Sequence, residues 1–451
     1  MPDSVSHSVT SPASPPALSE VSSEDRSYRP AWLKFAFFLG RPPALTRRQW
    51  RVLGLVAAVS FFEQYDLYLF SLALKQIQTS LAVAEADLGF LGSVVRFGSL
   101  PAFLVALVAD RIGRRQTLLF TILAYTLFTG LTALATDIRV FVALQFFARM
   151  FAVAEAMLAV VVIAEEFDPG VRGWGIGAFA AIESCGAGFA ALLFALVGDH
   201  ENGWRGLYLV GLVPLLLIAN WRRTLPETER FATYQRHQRA MGQIEHPLRP
   251  VVSLLRMYPG RLVMLSAVVF VVALTEAAAI FFGPKYLQEV HGWTAQSVGL
   301  LTLLGGAFAV VGNTFAGWLS DRIGRKRVTL FFLLGEAVFT IAYYNVSTWV
   351  VIPMWILMIF TLLGGNVTLS AYCSELFPTS YRSTAAGMRA VVGTIGGSVG
   401  LVLESVLYGV VGSHWTAISL LASVAVLGPL IVAGTFPETS GRTLEEIAPE
   451  R

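Results

Sequence analysis

Long apolar runs separated by short polar turns dominate the chain from about residue 52 onward. Twelve runs approach the roughly 20 apolar residues that a membrane-spanning helix needs: 52–75, 87–109, 116–136, 140–164, 174–198, 206–221, 261–284, 296–318, 328–346, 350–372, 385–411 and 416–435. The sixth is short and the twelfth holds Pro429, so these two are the least sharply bounded. The polar turns repeat. Asp110-Arg111-Ile112-Gly113-Arg114-Arg115 returns 211 residues later as Asp321-Arg322-Ile323-Gly324-Arg325-Lys326. Pro226-Glu227-Thr228 returns as Pro437-Glu438-Thr439, and Trp204 as Trp415, at the same spacing. Glu165 and Arg172 return as Glu375 and Arg382 at a spacing of 210. Several landmarks in one register indicate two copies of a large unit. The expected fold is an all-α membrane protein, twelve transmembrane helices in two pseudo-symmetric six-helix bundles. The bundles are residues 50–221 and 261–435, joined by a linker at 222–260 and flanked by an N-terminal segment (1–49) and a C-terminal tail (436–451). Paired halves of this kind place a solute site near the bilayer midplane, at their interface.

Composition agrees with lipid as the solvent. Hydrophobic residues are 55% and charged residues 14% of the chain, where a soluble domain carries about a quarter charged residues. Arg41, Arg47, Arg48 and Arg51 precede the first run, both motif turns are basic, and Arg222, Arg223, Arg230, Arg236, Arg239, Arg249 and Arg256 crowd the linker. The opposite turns hold little more than Arg139, Arg205 and Lys285. Basic loops stay inside, so both termini and the linker are expected in the cytoplasm, with a bacterial inner membrane as the host. Residues 1–28, rich in Ser and Pro, lack the apolar core of a signal peptide. The greasy stretch Trp32–Leu39 reads either as an interfacial segment or as a linker. Cys185 and Cys373 lie in or beside apolar runs and read as small buried hydrophobes. No phosphate loop, nucleophile elbow, zinc motif or ATP-binding domain is recognisable, so no enzyme activity, cofactor or metal is expected, and an ion gradient is left as the energy source. The basic linker reads as membrane-surface charge, not a nucleic-acid patch, and a monomer is expected.

The repeated turn has a physical sense. Gly113 and Gly324 permit a backbone that a side chain would oppose. Asp110 and Asp321 can reach arginines or a helix N-terminus. The expectation is a latch between the halves on the cytoplasmic side, built from Asp110, Arg111, Gly113, Arg114, Asp321, Arg322, Gly324 and Arg325, with Glu165, Arg172, Glu375 and Arg382 beside it. It would break when the carrier faces inward.

Gly317-Trp318-Leu319-Ser320-Asp321-Arg322-Ile323-Gly324-Arg325-Lys326 resembles the signature loop of the major facilitator superfamily; the first copy has Ala106 where the pattern leads with glycine. Glu375-Leu376-Phe377-Pro378-Thr379 with Arg382, Pro226-Glu227-Thr228-Glu229-Arg230-Phe231, and Pro437 through Ile447 resemble motifs of its sugar-transporter-like branch. The resemblance covers nearly all of residues 50–447 and implies the twelve-helix fold with alternating access.

Ionisable groups at mid-membrane are costly and usually face a cavity or a partner. In the first run, Glu63 and Asp66 are three apart and share a helix face, as a proton-coupling pair would. Their spacing resembles the Glu-x-Tyr-Asp element of metabolite:proton symporters and the paired acids of aromatic-acid:proton symporters. The fourth run offers Arg149 and Glu155. Arg149 reads either as a partner for Asp66 or as a direct contact for an anionic solute; the family's arginine position falls on Gln145. The sugar-binding glutamine pair of that branch falls on Val272 and Ala273, which cannot bind hydroxyls, and Glu276 lies close by. The family's arrangement implies that Arg96, Glu183 and Arg389 could reach the cavity, with structural pairing as the other reading for each, and Asn366 could touch solute. Glu336 falls on the ninth run, which the family places outside, and Glu404 on the eleventh.

The expected function is therefore a secondary transporter that moves a small organic solute, a carboxylate by first preference, with protons bound at Glu63 and Asp66. The expected solute contacts are Arg149, Glu155, Glu276, Asn366 and Arg96. A sugar, polyol or drug carrier and a non-transporting solute sensor are the alternatives.

Overall fold

The computed structural model describes residues 28–34, 36–200, 202–222, 249–347, 349–378, 381–441 and 444–448. Among them every regular element is helical. The N-terminal half holds α1 (Arg47–Leu72), α2 (Leu74–Ser80), α3 (Leu88–Phe97), α4 (Ala102–Ile112), α5 (Arg114–Thr132), α6 (Ile138–Glu166), α7 (Pro169–Val197), α8 (Gly203–Val210) and α9 (Leu212–Arg222). The C-terminal half holds α10 (Arg249–Met257), α11 (Pro259–Glu289), α12 (Ala295–Ile323), α13 (Arg325–Tyr343), α14 (Val351–Glu375), α15 (Arg382–Val411), α16 (His414–Ala425) and α17 (Leu427–Thr435). Among the described residues ten helical stretches are long and apolar enough to cross a membrane. α5 and α13 fall outside that set, yet each has 19 residues, about 28 Å at 1.5 Å per residue. Pro226-Glu227-Thr228 and most of the linker lie outside the described residues.

Four runs expected to be single helices are interrupted, the first only near its end, at Ala73. The second breaks between Phe97 and Ala102, where Pro101 has no N–H to continue the ladder. The backbone there tightens into three-residue turns, Gly98 to Val95, Ser99 to Arg96 and Leu100 to Phe97. The sixth breaks at Gly211 and the twelfth at Val426, each three residues before a proline, Pro214 and Pro429.

Each half is closed by the same helix pair, α1 with α7 and α11 with α15. The backbones nearly touch. A Cβ on Gly186 would come within 1.9 Å of the Phe61 carbonyl oxygen, and one on Gly400 within 2.0 Å of that of Leu274. Thr46 starts α1 with a reciprocal capping box to Gln49. The Trp32 stretch docks on the N-terminal half. Trp32, Leu33 and Leu39 pack on a core of Leu45, Trp50, Ile163, Phe167 and Phe179, with the Trp32 and Trp50 rings 5.5 Å apart.

The halves meet through α7 against α12 and α3 against α15. We call the end that carries the Gly113 and Gly324 turns the motif end, and the opposite end the far end. The hydrogen bonds that join the halves among the described residues gather at the far end. Ser71 donates to the carbonyls of Ile280 (2.8 Å) and Phe281 (3.0 Å), and Gln76 to Gln288 (2.8 Å). The amide of Phe90 donates to Ser405 (2.9 Å), and that of Ala295 to Asp199 (2.9 Å). At the motif end the ion pairs seen among the described residues lie within one half: Arg48 with Glu166, Arg114 with Glu165, and Arg325 with Asp321 and Glu375.

Candidate functional site

The charges of the interior converge at mid-depth, where the halves face each other. Arg96 ends the last turn of α3, just before the break. Its guanidinium reaches across to α15, so close that a Cβ on Gly397 would lie 2.5 Å from its Nε. That Nε is buried without a hydrogen-bond partner, and Arg96 makes no ion pair among the described residues. Arg149 of α6 lies within electrostatic reach of Arg96 and Glu63. Its Nε donates to Ser99 Oγ at 2.9 Å, inside the break between α3 and α4.

The C-terminal half answers with a polar chain. Glu276 of α11 lies within electrostatic reach of Arg96 and of Tyr68. It accepts a hydrogen bond from Asn366 Nδ2 at 3.3 Å, and Asn366 Oδ1 accepts from Arg389 Nη2 at 3.1 Å. The Nε of Arg389 is also buried and unpartnered. So Arg96, Glu276 and Asn366 come together, with Arg149 beside them and Arg389 added. Two guanidinium groups held within reach of each other repel unless an anion joins them.

Asp66 takes a different partner from the one considered for it. It does not pair with Arg149. Its Oδ2 accepts from Tyr125 Oη at 2.5 Å and from Thr129 Oγ1 at 3.0 Å, both on α5. The Tyr125 hydroxyl also lies 2.9 Å from the Phe62 carbonyl oxygen. Glu63 is buried one turn earlier, on the Arg149 side. Nearby, Gln64 donates to Glu183 at 2.8 Å and ties α1 to α7.

Several expectations need correction. Glu155 cannot touch a solute in this structure: it is fully buried between α6 and α5 and accepts a 2.5 Å hydrogen bond from Thr121. A helix register fixes the face a residue occupies but not the neighbour on that face. Glu336, expected as a loop-facing or partner-satisfied acid, is 2% exposed on α13 and within electrostatic reach of Glu276, its Oε1 unpartnered. Glu404 sits at the far end against His414 (2.5 Å). Cys185 is exposed, whereas Cys373 is buried as expected.

The repeated turns brace their own halves here. Gly113 and Gly324 have φ of +119° and +108°, where L side chains are strained. Arg114 reaches Glu165 at 3.3 Å. Arg325 gathers Asp321 (2.7 Å) and Glu375 (3.0 Å), while Glu438 accepts from the backbone amides of Arg325 (2.7 Å) and Lys326 (3.2 Å). Glu438 thus caps the start of α13, a role that its place in the repeated Pro-Glu-Thr triplet only hinted at. Arg322 stacks on Trp318 at 4.4 Å, Arg382 donates to the Phe377 carbonyl at 3.4 Å, and the Nε of Arg172 is buried without a partner. The side chains of Asp110 and Arg111 lie outside the described parts.

The family description Major Facilitator Superfamily matches residues 56–312 and 265–449. The chain is 26% identical over 373 residues to the cis,cis-muconate transport protein of Acinetobacter baylyi, covering 78% of this chain and 86% of that one. It is 22% identical over 424 residues to the benzoate transport protein of the same organism, covering 86% and 90%. Among solved structures, a D-xylose-proton symporter superposes with a TM-score of 0.72 at 18% identity, over 87% of this chain and 99% of that one.

Proposed function

The chain belongs to the Major Facilitator Superfamily, and on that premise we propose that this transporter carries an organic carboxylate together with protons. It is an integral, multi-pass membrane protein that moves a small metabolite, not an enzyme. The observation that carries the substrate class is Arg96, a guanidinium seated on the opposite half with no partner for its buried Nε. A carboxylate bridging Arg96 and Arg149 would satisfy both and relieve their repulsion, and a planar fork suits it best. Muconate and benzoate, named for the two relatives, are such anions. The chain Glu276–Asn366–Arg389 would bind the rest of the solute from the other half.

Asp66 supports the proton part. The Tyr125 hydroxyl has two acceptors within reach, Asp66 and the Phe62 carbonyl. With Asp66 ionised, Tyr125 donates to it. With Asp66 protonated, the carboxyl donates to Tyr125, which turns its own proton to Phe62. Both protonation states are thus hydrogen-bonded in one geometry, as a site that loads and unloads a proton requires. Glu63 would set the field beside it.

The basic motif end is taken as cytoplasmic, in an inner membrane, with both termini on that side and the protein acting as a monomer. The structure would then be the inward-facing state: sealed outside, with the turn motifs withdrawn into their own halves. Residues 50–221 and 261–435 are the units that rock, and the latch expected of Asp110, Asp321 and their arginines would form when they close inward.

The test is thermal stabilisation of the purified protein by benzoate, cis,cis-muconate and xylose. A carboxylate should raise Tm in the native protein and lose its effect in Arg96→Gln. Stabilisation by xylose alone, or an unchanged carboxylate effect in that variant, would remove the proposal.

A further inference from the structure

A second set of charges lies at the far end, away from the solute site. Lys285 of α11, its side chain fully buried, donates to Glu85 at 3.1 Å and pairs with Glu289 one turn along. Glu85 belongs to the N-terminal half, in the turn just before α3, and its side chain is 39% exposed. His414, the first residue of α16, joins the same carboxylate from the C-terminal half. Its Nε2 is 3.0 Å from Glu85, and its Nδ1 is 2.5 Å from the fully buried Glu404 of α15. The ring is held flat between Phe282 and Tyr408, at centroid distances of 4.6 and 4.2 Å, with Trp415 alongside. Tyr344 lies within electrostatic reach of Glu404, and Tyr286 packs on Trp415.

This geometry sets a proton count. A neutral imidazole has one N–H and one lone pair. Here both ring nitrogens face carboxylate oxygens. A lone pair against an ionised carboxylate repels, so the cluster holds one further proton, on the ring or on a carboxyl. The charges agree. Glu85, Glu289 and Glu404 face one lysine, and a neutral histidine would leave two negative charges uncompensated.

We propose that this cluster is a proton-binding gate: a proton held at His414 between Glu404 and Glu85 seals the two halves at the outer end, and its loss lets them part. Glu85 alone comes from the N-terminal half, so parting strips His414 and Lys285 of a shared counter-ion. The proton comes from water at the outer face through the exposed side of Glu85. The sealed state binds it more tightly than the parted state. Sealing therefore strengthens as pH falls and weakens as pH rises. In a carrier that loads protons from outside, the same event would close the outer face behind them. The inference rests on the rocking of the halves proposed above but uses neither Asp66 nor Glu63.

The test reads distances across the outer end by electron spin resonance, in lipid nanodiscs without solute. Labels go on the exposed positions Ser80→Cys and Gln296→Cys, in a background of Cys185→Ala and Cys373→Ala. The ratio of short to long distances should fall with rising pH, by up to about tenfold per pH unit for one linked proton. His414→Gln and Glu85→Gln should flatten the response, and His414→Lys, with a permanent charge, should hold the short distance throughout. The response should survive in Asp66→Asn. A ratio independent of pH in the labelled background, an undiminished response in both glutamine variants, or loss of the response in Asp66→Asn would each overturn the gate. Should the response be intact while the native protein shows no proton-driven uptake, the gate stands and the symport reading falls.

Discussion

The two halves share a scaffold and differ in chemistry. The same helix pair closes each, through Gly186 in one and Gly400 in the other, and each turn motif passes through a glycine at positive φ. At mid-depth the copies part company. Tyr125 and Glu336 are 211 positions apart, as are Tyr65 and Glu276, and Glu155 and Asn366. In the N-terminal half, hydroxyls of α5 serve the single acid Asp66, and Glu155 is locked inside the bundle by Thr121. In the C-terminal half the matching positions bring two acids, Glu276 and Glu336, toward an amide that also holds Arg389. The copies stayed alike where backbone approaches backbone, because any added side chain there collides. They diverged where side chains face the interface, and that divergence divides the labour: a hydroxyl-supported acid on one side, an amide–guanidinium chain on the other.

The largest effect is expected from Asp66→Asn, which should reduce uptake driven by a pH gradient to that of empty vesicles while solute exchange continues. Gradient-driven uptake at the native rate would show that the N-terminal half holds no coupling proton there. Arg96→Gln should weaken carboxylate binding by about 2–5 kcal/mol, the usual cost of removing one side of a buried charged contact; titration calorimetry reads it directly. Glu155→Ala and Asn366→Ala separate the paired positions. The first should cost about 1–3 kcal/mol of stability by removing a fully buried, hydrogen-bonded carboxyl and leave affinity alone, while the second should lower affinity. If both lowered affinity alike, the assigned difference between the halves would be wrong. The smallest effect concerns the turns. Glu165→Gln should change stability by about 0–1 kcal/mol, as for a partly exposed ion pair. Glu375→Gln should cost more in a melting experiment, because Glu375 also accepts from Thr439 at 2.6 Å.

Much of the architecture was legible before any coordinates. The apolar runs marked the spans, and the repeat at 211 marked the duplication. The spans broken at Gly98–Pro101, Gly211 and Val426 were less legible. A proline inside an apolar run can kink a helix or break it, and only neighbouring packing selects between the two. Of the site, Arg96 and Glu276 stood out as charges that are costly in lipid and Asn366 as a polar residue beside a glycine pair, and the three converge. Glu155 carried the same signal and turned out to be structural. The far-end cluster was missed. Lys285 had been read as one of the few basic residues in the turns opposite the motif end, and neither Glu85 nor His414 had stood out.

What the linear chain settled on its own was local: which stretches are helices, which turns need a glycine, and that one unit occurs twice. Those properties depend on hydrophobic period and backbone freedom within a few residues. Which charge meets which was settled only when the helices packed. Asp66 and Tyr125 are 59 positions apart, and Glu85 and His414 are 329. Such pairings depend on the crossing and axial shift of whole helices, which no spacing along a single helix encodes.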